Sequence, residues 1–304
     1  MTKARNDLLS IRGMTRGEVE ALLASAAAHK RARREGTRRD GPLSGQMVAN
    51  LFFEDSTRTR SSFEIAARAL GANVLGWSAK ESSVAKGETL LDTARNLDAM
   101  SPAVLVVRHG SSGAVALIAK HVRAAVVNAG DGTHEHPSQA LLDALTLTEK
   151  LGALDGKTVV IAGDILHSRV ARSNLHCLKL LGARVVLVAP PTLMPVGIEA
   201  LGAEVSWDFD RALEGADAVM MLRMQLERQK RAFFPSTREY ARRYGLNAAR
   251  VALMKRGAPV LHPGPMNRGL EITSDVADGE QSAILEQVEN GVPVRMAILE
   301  RSCQ

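Results

Sequence analysis

The feature that most narrows the folds open to this chain is a rhythm. A short β-branched run, a Gly-containing or polar turn and an apolar pattern at helical spacing recur from residue 47 to the C-terminus. The runs are Met47–Phe53, Asn73–Trp77, Ala103–Arg108, Ala125–Asn128, Thr158–Ala162, Arg184–Ala189, Glu204–Trp207, Ala218–Leu222 and Pro259–His262. Helical patterns cover Arg60–Leu70, Glu88–Met100, Gly113–Val122, Ser138–Leu151, Arg169–Leu181, Thr237–Tyr244 and Ser282–Arg301. Parallel strands need long crossovers, and helices supply them. The alternation therefore predicts an α/β protein whose parallel sheets are flanked by helices. A length of 304 residues is ample for two domains. The turn Gly152–Lys157 follows a long helical pattern and precedes a new strand, so it marks a boundary. One domain is expected over 1–150 and a second over 151–285, with the last helix (about 286–304) packing back on the first.

Composition excludes several classes. Apolar residues make up 45% and charged residues 24%, ordinary values for a soluble globular chain. No apolar run approaches the roughly 18 residues of a membrane span, and the N-terminus lacks the apolar core of a secretory signal. Cys177 and Cys303, far apart, are the only cysteines, which fits the reducing cytoplasm. The net charge of +6 includes basic runs at Lys30–Arg39 and Arg228–Arg243. Aromatics are only 3%, which leaves few stacking platforms, and no nucleic-acid-binding motif is present. Small anionic ligands account for the charge more simply than nucleic acid does.

Ligands of open α/β sheets gather beyond the carboxyl ends of strands, and the polar clusters recur there. Glu54–Arg60 lies between a strand and a helical pattern, where free backbone N–H groups and the positive end of a helix dipole suit an anion. Ser56, Thr57 and Thr59 add hydroxyl donors, and Arg58 adds a planar guanidinium matched to phosphate. Simple capping by Asp55 or Ser56 would use one hydroxyl, whereas this segment holds several. Other strand ends lead to Arg108-His109-Gly110, His136-Pro137-Ser138-Gln139, His167-Ser168-Arg169, Arg223 with Gln225, and His262-Pro263-Gly264-Pro265.

Several look-alikes fail. Gly152–Thr158 has three residues between its glycines and precedes its strand, so it is a turn and not a nucleotide-binding loop. The segment after Thr158–Ala162 lacks GxGxxG, which disfavours a nicotinamide enzyme. Thr133–His136 offers two histidines but no third ligand at a convincing spacing. No metal and no cofactor are expected.

With STRTR, KGET, an Arg-His pair after a strand, HPSQ and HPGP in this order, the chain resembles the aspartate/ornithine carbamoyltransferase family from about Asp7 to Glu300. The resemblance implies a carbamoyl-phosphate domain, an amino-acid domain and a homotrimer with shared active sites. Ser56, Thr57, Arg58 and Thr59 match the phosphate-binding turn of that family. Arg108 matches the arginine that touches phosphate and carbonyl, His136 the donor to the carbamoyl oxygen, and Gln139 the glutamine near the carbamoyl amide. Trp77–Gly87 has the composition of an exposed polar loop. The resemblance makes it the loop that enters a neighbouring subunit's site through Ser82 and Lys86, with Ser83 one residue away.

The acceptor divides the family. Ornithine enzymes typically carry HCLP and an SMG-type motif; this chain has HPGP and no SMG. Arg169, Arg223 and Gln225 match the groups that hold the two carboxylates of aspartate, with Gly264 (through its backbone carbonyl) and Pro265 beside them. Two arginines and Lys86 suit a dicarboxylate and oppose a cationic side chain. The implied reaction forms N-carbamoyl-L-aspartate in pyrimidine synthesis. The alternatives are ornithine or another acceptor, or a non-catalytic homologue. Regulatory or dihydroorotase-type chains stay open as further partners.

Overall fold

The computed structural model describes residues 5–36, 41–78, 87–225 and 236–304. The chain divides into two compact units, Met1–Leu142 with Glu289–Gln304, and Asp143–Val288.

In the first unit, β1 (Met47–Phe52), β2 (Asn73–Ser78), β3 (Val104–His109) and β4 (Ala125–Asp131) form a parallel sheet in the order β2-β1-β3-β4. The strand register pairs Val48–Phe52 with Val104–Arg108. Alternate residues share a face, so Ala49, Leu51, Leu105 and Val107 line one side of the sheet. There they pack with Ala94 and Leu97 of α3 (Leu90–Ala99) and with Val115 and Ile118 of α4 (Ala114–Ala119). Fully burying each Val or Leu contributes roughly 1.5–3 kcal/mol. Helix α1 (Arg16–Arg34) opens with a capping box between Thr15 and Glu18. The end of α11 (Ile284–Cys303) joins this unit: Glu300 lies 2.8 Å from His29, and Glu289 lies 2.9 Å from Arg34. Lys30 of the basic run is buried rather than solvated, while Arg34 makes that ion pair from the last turn of α1.

The second unit has β5 (Thr158–Ala162), β6 (Arg184–Val188), β7 (Glu204–Ser206), β8 (Ala218–Met221) and β9 (Val260–Leu261), parallel in the order β7-β6-β5-β8-β9. Val160, Ala162, Val186, Val188, Val219, Met221 and Val260 form its core with Phe209 and Leu213 of α7 (Phe209–Leu213). Among the described residues, no helix is long and apolar enough to cross a membrane.

The unit boundary falls at Leu142/Asp143, within α5 (Pro137–Leu151). Two differences from the sequence expectations stand out. Helix α2 (Thr57–Ala69) starts three residues before the expected Arg60, which puts Arg58 and Thr59 inside its first turn. Strand β4 continues to Asp131 through Gly130, whose φ of 117° is a conformation open to glycine.

Candidate active site

The first sheet reverses direction at β1. From β1 the chain moves outward to β2, then returns to place β3 on the other side. Such a switch point opens a crevice beyond the carboxyl ends of the two central strands. Residues after β1 supply one wall. Ser56 takes the N-cap of α2 with extended backbone (φ −161°, ψ 92°), yet its hydroxyl makes no capping hydrogen bond. The first turn of α2 also contains no acidic residue. Thr57 and Arg58 are exposed, Ser56 is half-buried and Thr59 is buried. The positive helix end, three hydroxyls and a guanidinium thus share one short stretch, a combination chemically suited to a phosphate-like anion.

Arg108 sits at the end of β3, opposite Phe52 in the strand register, and its carbonyl accepts from Phe53 N–H at 2.9 Å. Its Nη1 donates to Ala129 O at 3.2 Å, and its Nη2 lies 3.4 Å from Glu54 Oε1. The guanidinium is therefore held between the ends of β1 and β4. Asp131 fastens the segment that follows. Its buried carboxylate accepts from Asn128 Nδ2 at 2.8 Å and Gly113 N–H at 2.8 Å, and it pairs with His134 Nδ1 at 3.0 Å. Burial pushes the Asp131 carboxyl up, but hydrogen bonds from His134, Asn128 and Gly113 outweigh it and hold the group below its ordinary range. Gly132 N–H donates to His109 O at 2.9 Å, which joins the β4–α5 loop to the residue after Arg108. That loop delivers His136 and Gln139, both buried, to the start of α5. Ser56–Thr59, Arg108, His136 and Gln139 are thus carried by the carboxyl ends of three adjacent strands.

The second sheet has its own switch point, between β5 and β8. Gly163 follows β5 with φ 136°, and a Cβ there would come within 2.8 Å of Leu222 O, so the close approach of the two strand ends requires glycine. Asp164, buried, holds His167 Nδ1 at 2.9 Å, and Ser168 caps α6 (Arg169–Leu180) by accepting from Ala171 N–H at 3.1 Å. Arg169 is then the first helical residue and is buried. A cation at the positive end of a helix works against the dipole, so an anionic partner is favoured there. Arg223 and Gln225 follow β8, and Gln225 Nε2 donates to His167 O at 3.3 Å. Gly264 and the cis-linked Pro265 follow β9. Arg169, Gln225 and Gly264 thus hang on three neighbouring strand ends. Ser82, Lys86 and the adjacent Ser83 lie outside the described residues.

One feature of this unit is signalled in the sequence motifs by a single residue. Asp143, Asn174, Gln287, His262 and Glu271 are all buried and joined by hydrogen bonds. Most of them are far apart in sequence, and on helices three of them have the look of ordinary polar surface positions. His262, inside HPGP, was the available signal; its ring matters as well as the turn it begins.

The family model described as the carbamoyl-P binding domain of aspartate/ornithine carbamoyltransferase matches residues 6–149, and that of the Asp/Orn binding domain matches residues 155–301. The aspartate carbamoyltransferase catalytic subunit of Myxococcus xanthus is 65% identical over 293 residues, which cover 96% of this chain and 98% of that protein. Aspartate transcarbamoylase from Trypanosoma cruzi, in complex with N-(phosphonacetyl)-L-aspartic acid, matches with a TM-score of 0.90 and 33% identity, over 99% of this chain and 97% of that one. Ornithine carbamoyltransferase from Pyrococcus furiosus matches with a TM-score of 0.88 and 30% identity, over 98% of this chain and 97% of that one. Backbone likeness alone does not separate the two acceptors.

Proposed function

The chain belongs to the aspartate/ornithine carbamoyltransferase family, and on that premise we propose that it transfers the carbamoyl group of carbamoyl phosphate to the amino group of L-aspartate. The products are N-carbamoyl-L-aspartate and phosphate, as in pyrimidine synthesis. The observation that carries the choice of acceptor is the charge of the second unit's strand ends. Arg169 is buried at the positive end of α6, and Arg223 follows the neighbouring β8. Those groups favour a dicarboxylate and penalise a cationic side chain.

In this reading the first unit takes carbamoyl phosphate. Ser56, Thr57, Arg58 and Arg108 hold its phosphate, while Gln139 accepts from its amide. The aspartate amine attacks the carbamoyl carbon and gives a tetrahedral intermediate, whose oxyanion is held by Thr59, Arg108 and His136. The carbon–oxygen bond to phosphate then breaks, and the phosphate leaves with that electron pair. The amine loses a proton, for which the departing phosphate is one acceptor. Arg169, Arg223 and Gln225 orient the aspartate carboxylates, with Gly264 and Pro265 beside the amine. Positioning and preorganised charge account for the acceleration. Ser82 and Lys86 of one subunit complete the site of its neighbour in a cytoplasmic homotrimer.

Phosphate release with carbamoyl phosphate and either aspartate or ornithine tests the reading. Release with aspartate alone is expected. Release with ornithine alone, or tight ligand binding without turnover, would overturn it. A solution mass of three times the chain's 32.6 kDa is expected for the assembly.

A further inference from the structure

The buried polar residues of the second unit form a connected chain. Asn174 Nδ2 donates to Asp143 Oδ2 at 2.8 Å, and Gln287 Nε2 donates to Asp143 Oδ1 at 2.7 Å. Gln287 Oε1 accepts from His262 N–H at 2.8 Å. His262 Nε2 lies 3.2 Å from Glu271 Oε1, which also accepts from Asn267 N–H at 2.6 Å. Asn267 Nδ2 then donates to Met224 O at 3.1 Å. The chain therefore links α6, which begins with Arg169, the turn that holds Gly264, and the segment between Arg223 and Gln225.

The ring of His262 stands at its centre. Gly264 N–H donates to His262 Nδ1 at 2.8 Å, so Nδ1 is an acceptor and the ring proton sits on Nε2, directed at Glu271. Glu271 and Gly264 together set the tautomer and the ring plane. The anchor matters because of what it grips. Gly264 adopts φ 61° and has no side chain to restrict its own backbone. Without a fixed N–H, the direction of its carbonyl would be weakly specified.

We propose that His262 is a positioning residue for the acceptor: its Nδ1 fixes the Gly264 amide and thereby aims the Gly264 carbonyl, while Glu271 locks the ring. The proposal rests on the reading that Gly264 and Pro265 face aspartate. A purely structural network would also be buried and hydrogen-bonded, so the test must separate aim from stability.

Two substitutions do so. His262→Asn places Oδ1 where Nδ1 stood and keeps an acceptor for Gly264, but loses the reach to Glu271. His262→Gln extends an amide towards Glu271 and loses the acceptor at Nδ1. Measured by phosphate release, His262→Gln is expected to raise the aspartate KM about tenfold, the worth of one buried hydrogen bond, with the carbamoyl-phosphate KM changed less than about twofold. His262→Asn is expected to stay within about threefold of the parent. An unchanged aspartate KM in His262→Gln, or equal impairment in both variants, would overturn the proposal. If neither variant folds, Glu271→Ala replaces them: a raised aspartate KM supports it, and an unchanged one overturns it. Failure of the parent chain to carbamoylate aspartate would count against the proposed function instead. The anchor is then read without substrate, by hydrogen exchange of the Gly264 amide. Protection lost in His262→Gln and kept in His262→Asn supports the anchor; equal protection in both refutes it.

Discussion

Helices α1 and α2 both begin with a hydroxyl residue at the N-cap, and they use it in opposite ways. In α1 the Thr15 hydroxyl accepts from Glu18 N–H at 3.2 Å, and Glu18 reaches back to Thr15 N–H at 2.8 Å. Two orphan donors are satisfied by the chain itself. The starts of α3 and of α8 (Thr237–Tyr244) repeat the arrangement in part, with Thr89 beside Asp92 and Ser236 beside Glu239. In α2 the Ser56 hydroxyl makes no capping bond and no acidic residue enters the first turn. Forgoing a side-chain cap costs about 0.5–2 kcal/mol. A helix start that carries that cost beside Arg58, at a switch point, suits the anion that the proposed function places there. On the proposed function, the closed helix start serves stability and the open one serves a ligand.

Removing the charge from the open end should have the largest effect. Arg58→Ala is expected to lower turnover by about 10²–10³-fold, as for removal of a transition-state donor, with the melting temperature nearly unmoved. Retention of turnover in a folded variant would end the assignment of α2 as the phosphate cradle. Next comes a crossed pair. Ser56→Ala should raise the carbamoyl-phosphate KM by about tenfold with little change in stability. Thr15→Ala should do the reverse, losing about 1 kcal/mol in denaturant unfolding with kinetics intact. Equal stability losses in the two would erase the contrast. The smallest effect is on acid stability. Hydrogen bonds from the Thr15 backbone and hydroxyl hold Glu18 below its ordinary carboxylate range. A depressed folded pKa contributes stability above the unfolded value and loses it as pH falls through the folded one. The melting-temperature gap between the parent and Glu18→Ala should therefore be open near neutrality, worth less than about 1 kcal/mol, and close as the pH falls through and below the ordinary carboxylate range.

The parallel strands were legible because β-branched runs such as Thr158–Ala162 are bounded by turns and are too short to be helices. Short helices escaped notice: Phe209–Leu213 and Ser274–Ala277 span too few residues for a periodicity to develop. Ser56–Thr59 were legible as a candidate anion site because they are contiguous and their chemistry is local. Their place in the first turn of α2 was not, since Thr57 and Arg58 are exposed and add nothing to the apolar pattern that begins at Phe63. The chain through Asp143, Gln287, His262 and Glu271 was illegible for a different reason. Its bonds join residues from 9 to 144 positions apart, and no spacing rule connects them.

In the second unit, the strands that lead to the proposed acceptor residues spend their length on the core and leave only their exits for chemistry. Val160, Ala162, Val219, Met221 and Val260 pack, whereas Arg169, Gln225 and Gly264 come after the last ladder bond. Mutational tolerance should therefore split along each strand at one position. On the proposed function, exchanging segments beyond the ends of β8 and β9 should change which amino acid is accepted and leave the scaffold folded.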